Sequence, residues 1–325
     1  MRKFIVILCI LFIVVAVVLA FSANYFLKFA LLSKNYSDSN RENKIENELN
    51  SEVTEESVFN TSGTKVESQN WFDVQNSKEL TIESHDGLKL VGYFVPSKVE
   101  TNKLVVLAHG YTSKAKEMSA FAEYYYSQGF NVFAPDDRGH GKSEGKYIGM
   151  GIADAPDYIA WMRLLINQLG EDTEIVLHGV SMGGATVMTL SGNSDLPKNV
   201  KAIIEDCGYT SVKEEFKYQL KQMFNLPSFP IINVTSVYSK IRIGYNFNED
   251  SAIKQVKKST TPIFFIHGDK DDFVPFNMVQ KLFDAAECEK ELWTVPEAGH
   301  ATSYYLNKEE YEKRIYNFYS KYLSK

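Results

Sequence analysis

The chain has 325 residues, 44% of them hydrophobic and 23% charged, enough to bury a large core in one big domain or two ordinary ones. A formal net charge of −6 lacks the basic footprint of a nucleic-acid binder and excludes that partner class. Cys9, Cys207 and Cys288 show no CxxC spacing, so neither a disulfide framework nor a zinc site is expected.

Arg2 and Lys3 open the chain, and an apolar run without a charge follows from Phe4 to Phe21. A bilayer core takes about 20 such residues, so residues 1–32 read as a transmembrane signal-anchor. A cleaved signal peptide is the alternative, because Ala20, Ser22 and Ala23 offer small residues for cleavage; its apolar stretch is usually about 7–15 residues, shorter than this one. Positive charge ahead of the span keeps the amino terminus cytoplasmic and sends the rest across. The expected location is the cell membrane, single-pass, with the main domain on the extracytoplasmic side, or secretion if the segment is cleaved.

Residues 33–70 are dominated by Ser, Asn, Glu, Thr and Lys and read as a polar flexible tether with too few large apolar side chains for a core. A short amphipathic helix around Ile45, Leu49 and Val53 would carry no chemistry. From Trp71 the texture changes. The runs ELTIES and LKLVGYFV flank His85-Asp86-Gly87 and predict a hairpin. Then come KLVVLAHG, FNVFAPD, TEIVLHG, VKAIIEDCG, TPIFFIHG and KELWTVPEAG, separated by helical stretches ending at Gly129 and Gly170 and by ATVMTLSG, FNMVQKLFDAAE and KEEYEKRIYNFYSKYL. Continuous apolar strands alternating with helices predict an α/β domain over 71–325, a mostly parallel sheet covered on both faces.

Within HGVSMGG (His178 to Gly184), Ser181 lies between glycines at the end of a buried strand and opens a helix. That is where open α/β sheets carry reactive groups, on a bend at which glycines relieve steric conflict. Ser143 in GKSEG matches the same letters but stands in a polar loop with no helix after it. A serine hydroxyl needs a base and a group to orient that base. His300, in PEAGHATS after the last strand, is the best base; His109, His178 and His267 precede glycines at strand ends and suit packing, His85 sits in the hairpin turn and His140 in a loop. For the acid, Asp269, Asp271 and Asp272 in IHGDKDDFVP and Asp206 after VKAIIE all remain open on spacing alone.

His109-Gly110-Tyr111, PDDRGHGKSEG, GVSMGG, HGDKDDFVP and AGH occur in that order, and together they resemble the α/β-hydrolase superfamily. The resemblance is to bacterial serine esterases related to lysophospholipases, cinnamoyl esterases and serine aminopeptidase-like hydrolases. It implies an α/β-hydrolase fold with a small helical cap, Asp271 as the acid four positions after its histidine, and His300 as the base. It also makes Ser143 part of a structural loop in which Asp136, Arg138 and His140 hydrogen-bond. The chain order Ser, Asp, His agrees with that fold. The implied chemistry is a Ser181-His300-Asp271 triad forming an acyl-enzyme, with backbone N–H groups of Tyr111 and Met182 as the oxyanion hole, and with no metal or organic cofactor.

Residues 210–247 exceed a simple crossover, and Phe224, Leu226, Phe229, Ile231, Ile232 and Tyr238 suit either a cap for a substrate with an apolar acyl or aromatic part or ordinary helix packing. The leading expectation is a membrane-anchored hydrolase of small-molecule carboxylic esters. A peptidase or acyltransferase with the same triad, and a non-catalytic surface binding module, are the alternatives.

Overall fold

The structure, a computed structural model, describes residues 2–36, 70–249 and 251–324. The tether expected over 33–70, and the helix weighed around Ile45, therefore lie almost wholly outside the described residues. The first residues of that segment are docked: Ser33 donates from its Oγ to the Gly139 carbonyl at 2.6 Å, and Leu32 bridges to Tyr147.

Eight strands form one sheet: β1 (Lys78–Glu83), β2 (Lys89–Val95), β3 (Lys103–Ala108), β4 (Asn131–Pro135), β5 (Glu174–Val180), β6 (Val200–Asp206), β7 (Ile263–Gly268) and β8 (Lys290–Val295). Their order is β1-β2-β4-β3-β5-β6-β7-β8. β2 pairs antiparallel with β1 and β4, and every other pairing is parallel. The predicted hairpin turns where expected, with Gly87 at φ 85° and the Ser84 N–H bonded to the Leu88 carbonyl at 2.8 Å.

The apolar strands are continuous because both faces are covered. Side chains alternate along a strand, so Val105 and Leu107 of β3 face the layer containing Phe121 and Tyr311, and Leu104 and Val106 face the layer containing Trp161 and Leu190. The helices Ser119–Ser127 and Lys308–Tyr319 belong to the first layer, and Ala155–Leu169, Met182–Ser191 and Asn277–Ala285 to the second.

Between β6 and β7 the helices Val212–Phe224 and Ile231–Ile243 form a separate lobe with its own apolar cluster. The N-terminal helix Arg2–Leu31 joins that cluster through Leu27 and Leu31, and Tyr238 donates to the Asn24 side chain at 3.2 Å. From Phe4 to Val18 the same helix is exposed. It is long and apolar enough to cross a membrane.

Candidate active site

β5 ends at Val180, and Ser181 follows at φ 57° and ψ −115°, a region that residues with a side chain seldom occupy. The bend is held by the Ser181 N–H, which donates to the Asp206 carbonyl at 2.8 Å. It is also packed too closely for side chains on either flank. A Cβ at Gly179 would stand 2.1 Å from the Gly183 carbonyl oxygen, and one at Gly183 would stand 1.9 Å from that of Ala108.

The loops after β7 and β8 bring Asp271 and His300 to this bend. Ser181 Oγ lies 2.8 Å from His300 Nε2, and His300 Nδ1 lies 2.9 Å from Asp271 Oδ2, all three side chains being buried. The carboxylate accepts backbone N–H bonds from Phe273 at 3.1 Å and Val274 at 2.8 Å on its other oxygen. His267 Nε2 sits 3.1 Å from Asp271 Oδ2 and 2.9 Å from the Val274 carbonyl. Two acceptors on one nitrogen make that nitrogen the donor. Sequence reasoning gave His267 a backbone or packing role; its four-residue offset from Asp271 in HGDKD was the available signal.

Burial alone would raise the Asp271 pKa, but the charge of His300 and the hydrogen bonds from His267 and His300 outweigh it and bring the pKa down to about 2. Burial opposes a charged His300, yet the adjacent Asp271 carboxylate prevails and holds the imidazole pKa well above its ordinary value. Cys207, Asp271 and His300 offer ligand-type atoms within 4.8 Å of one another. Burial pushes the Cys207 thiol up to about 12, so it stays neutral, while the other two groups bond to each other.

The remaining candidates are engaged elsewhere. Asp269 accepts the Glu297 N–H at 2.7 Å, Asp272 is exposed, and Asp206 accepts the Tyr311 and Ser303 hydroxyls at 3.1 and 3.2 Å. Buried His178 lies between the hydroxyls of Tyr125 and Tyr311 at 3.1 and 3.0 Å, and desolvation lowers its pKa to about 3. His109 accepts the Asp137 N–H at Nε2 and donates from Nδ1 to the Gly110 carbonyl, at 3.0 and 2.8 Å. His85 is exposed in the turn. Ser143 is buried and donates to the Asp136 carbonyl at 2.6 Å. In the same loop Asp136 accepts the Lys142 N–H at 2.8 Å, and His140 Nδ1 contacts the Arg138 carbonyl at 3.2 Å. Arg138 instead reaches out of the loop, pairing with Asp157 at 2.8 Å and Asp86 at 2.9 Å.

Met182 is the first residue of its helix, so its N–H has no acceptor within that helix. Gly110, just before Tyr111, abuts the serine: a Cβ there would meet Ser181 Cβ at 3.6 Å. The Tyr111 hydroxyl donates to the Ala30 carbonyl at 2.6 Å.

Over Ser181 opens an apolar pocket lined by Tyr111, Met150, Tyr209, Phe273 and Val274 of the main domain and by Phe216, Leu220, Met223, Phe224, Ile232 and Phe247 of the lobe. Of the residues the sequence offered for a cap, Phe224 and Ile232 line the pocket, Ile231 and Tyr238 pack behind it, and Leu226 and Phe229 face outward.

Glu215 is the sole acid among the lining residues. It is buried, Gln219 donates to its Oε1 at 2.9 Å, and its Oε2 has no partner. Desolvation raises its pKa to about 8 against the partial relief from Gln219, so it is neutral at pH 7. The folded protein keeps this proton up to about pH 8 while an unfolded chain releases it near pH 4.3, so the group withdraws stability as pH rises between those values. Glu215→Gln, which mimics the neutral acid, is expected to raise Tm by roughly 5–10 °C at pH 8.5 and to leave it nearly unchanged at pH 4. Thermal melts of both proteins at the two pH values check this.

A mostly parallel sheet with a serine on the strand-to-helix bend and its partners on later strand-end loops is the α/β-hydrolase fold. Residues 99–243 match the family model described as serine aminopeptidase, S33. The Bacillus subtilis protein YqkD is 29% identical over 260 residues, covering 78% of this chain and 85% of that one. A membrane protein of Saccharomyces cerevisiae is 23% identical over 227 residues, covering 69% and 73%. Among solved structures, an esterase of Pyrococcus furiosus superposes with a TM-score of 0.64 at 24% identity, covering 79% of this chain and 96% of that one; at that identity the likeness concerns the fold.

Proposed function

We propose that this chain is a membrane-anchored serine hydrolase, its catalytic domain on the extracytoplasmic side, that cleaves carboxylic esters with an apolar acyl or aromatic part. The unbroken contact from Ser181 Oγ through His300 to Asp271, at 2.8 and 2.9 Å, carries this reading. Ser181 attacks the acyl carbonyl as His300 takes its proton; the tetrahedral oxyanion is met by the Met182 and Tyr111 N–H groups. His300 then returns the proton to the leaving alcohol, which departs and leaves an acyl-serine. Water, deprotonated by the same imidazole, releases the carboxylic acid. Asp271 keeps His300 in the tautomer that presents Nε2 to the serine and offsets the imidazolium charge.

The matched family's name favours a second reading, a peptidase with the same triad. The pocket over Ser181 is lined almost wholly by apolar side chains, which favours an acyl or aromatic group there and the ester reading. Labelling with a fluorophosphonate probe followed by peptide mapping is expected to place the adduct on Ser181, and a panel of short-chain esters, lysophospholipid and aminoacyl amides to give ester turnover. Amide turnover without ester turnover would favour the peptidase, and absence of labelling would return the chain to a binding module.

Arg2 and Lys3 before the span support a cytoplasmic amino terminus. The helix continues unbroken through Ala20–Ala23, and its buried last turns support retention over cleavage. The mass of the mature amino terminus tests this.

A further inference from the structure

One wall of the pocket over Ser181 comes from the N-terminal helix, far from the catalytic residues in sequence. Phe26, Phe29 and Ala30 line the same cavity as Ser181. Phe26 and Phe29 stand edge-on to Phe224 of the lobe with ring centroids 5.3 and 5.1 Å apart. The Ala30 carbonyl holds the Tyr111 hydroxyl at 2.6 Å, and Tyr111 belongs to the loop beside the serine. The helix that would cross the bilayer and the helix that closes the pocket are one continuous element, Arg2–Leu31.

Helix rise sets the height of the pocket. Phe4 to Phe21 covers about 27 Å, close to the ~30 Å hydrocarbon thickness. The lining residues Phe26 to Ala30 then stand about 8–14 Å beyond Phe21, at the outer edge of the headgroup layer. An acyl chain arriving through water would expose its methylenes at an unfavourable cost for each. A chain sliding along the helix from lipid into an apolar pocket exchanges one apolar environment for another and avoids that cost.

We propose that the N-terminal helix is part of the substrate site: its Phe26, Phe29 and Ala30 face receives the acyl chain of a single-chain carboxylic ester drawn from the adjacent membrane leaflet. This rests on the serine-hydrolase reading above. Phe26, Phe29 and Ala30 are then specificity-determining, because they set how long an acyl chain the pocket accepts.

The test uses the full-length chain in phosphatidylcholine vesicles, comparing 1-palmitoyl-lysophosphatidylcholine carried in the vesicles with p-nitrophenyl acetate added to the water. Ala30→Trp, which fills the cavity, is expected to lower the palmitoyl-to-acetyl ratio of kcat/KM by about tenfold or more. Phe29→Leu, a milder change that guards against misfolding, should move the same ratio by about threefold. Wild-type turnover of the palmitoyl ester should be faster from vesicles than from dilute vesicle-free solution. A ratio unchanged in both variants, or a wild-type rate no faster from vesicles, would overturn the inference. Wild-type protein that neither takes a fluorophosphonate on Ser181 nor hydrolyses the acetate would overturn the hydrolase reading instead, so the two failures are distinct.

Discussion

Ser181→Ala is expected to lower ester turnover on the order of 10⁶-fold while leaving the protein folded, because the nucleophile and its base act as a unit and loss of either removes nearly all triad catalysis. The backbone at this position is at φ 57° whichever of the two residues occupies it, so alanine inherits the same conformational cost and Tm should change little. Ser181→Gly, which is free of that cost, is expected to be equally inactive and more stable by about 1–3 kcal/mol. Steady-state kinetics on a p-nitrophenyl ester and thermal melts check both variants. An alanine variant that retains turnover would mean that the hydroxyl is not the attacking group, and one that unfolds would count against a purely chemical role for it.

Asp271→Asn should cost about 10⁴-fold in kcat, because an amide can hold the imidazole in the wrong tautomer and cannot offset its charge. It should also move the pH profile in a defined direction. The base works only when His300 is neutral, and the Asp271 carboxylate holds the His300 pKa well above the usual value, so wild-type kcat/KM should rise with pH through a limb displaced to the alkaline side of ordinary histidine. Asparagine removes the anion that overcomes burial, so the limb should shift toward lower pH even as the maximum collapses. A limb that stays in place would mean that another group, not this carboxylate, sets the imidazole.

Ser181 and His300, the nucleophile and base of the proposed triad, could be picked out in the sequence because their signals are local. Ser181 is marked by glycines that the bend requires, and His300 by its place after the last strand. The acid was not separable by spacing, since Asp269, Asp271 and Asp272 share one short loop. Backbone geometry separates them: the Phe273 and Val274 N–H groups turn Asp271 under the imidazole, while Asp269 bonds to Glu297. Glu215 left no sign of its burial, since one acid in the amphipathic run VKEEFKYQLKQMF looks like any solvated helix position. The docking of the N-terminal helix was hidden for a different reason. Ser22, Asn24 and Lys28 mark the stretch after Phe21 as leaving the apolar run, but they do not say whether Phe26 and Phe29 beside them meet protein or water.

The helix from Arg2 to Leu31 has no break where it leaves the lobe, so the catalytic domain has no swivel between itself and a bilayer. A bilayer thinner or thicker than the apolar stretch is accommodated by tilting the span, and a rigid mount passes that tilt to everything bolted onto it. If the proposed anchor spans a bilayer, lipid thickness would thus act as a lever on the attitude of the pocket mouth and on the proposed turnover.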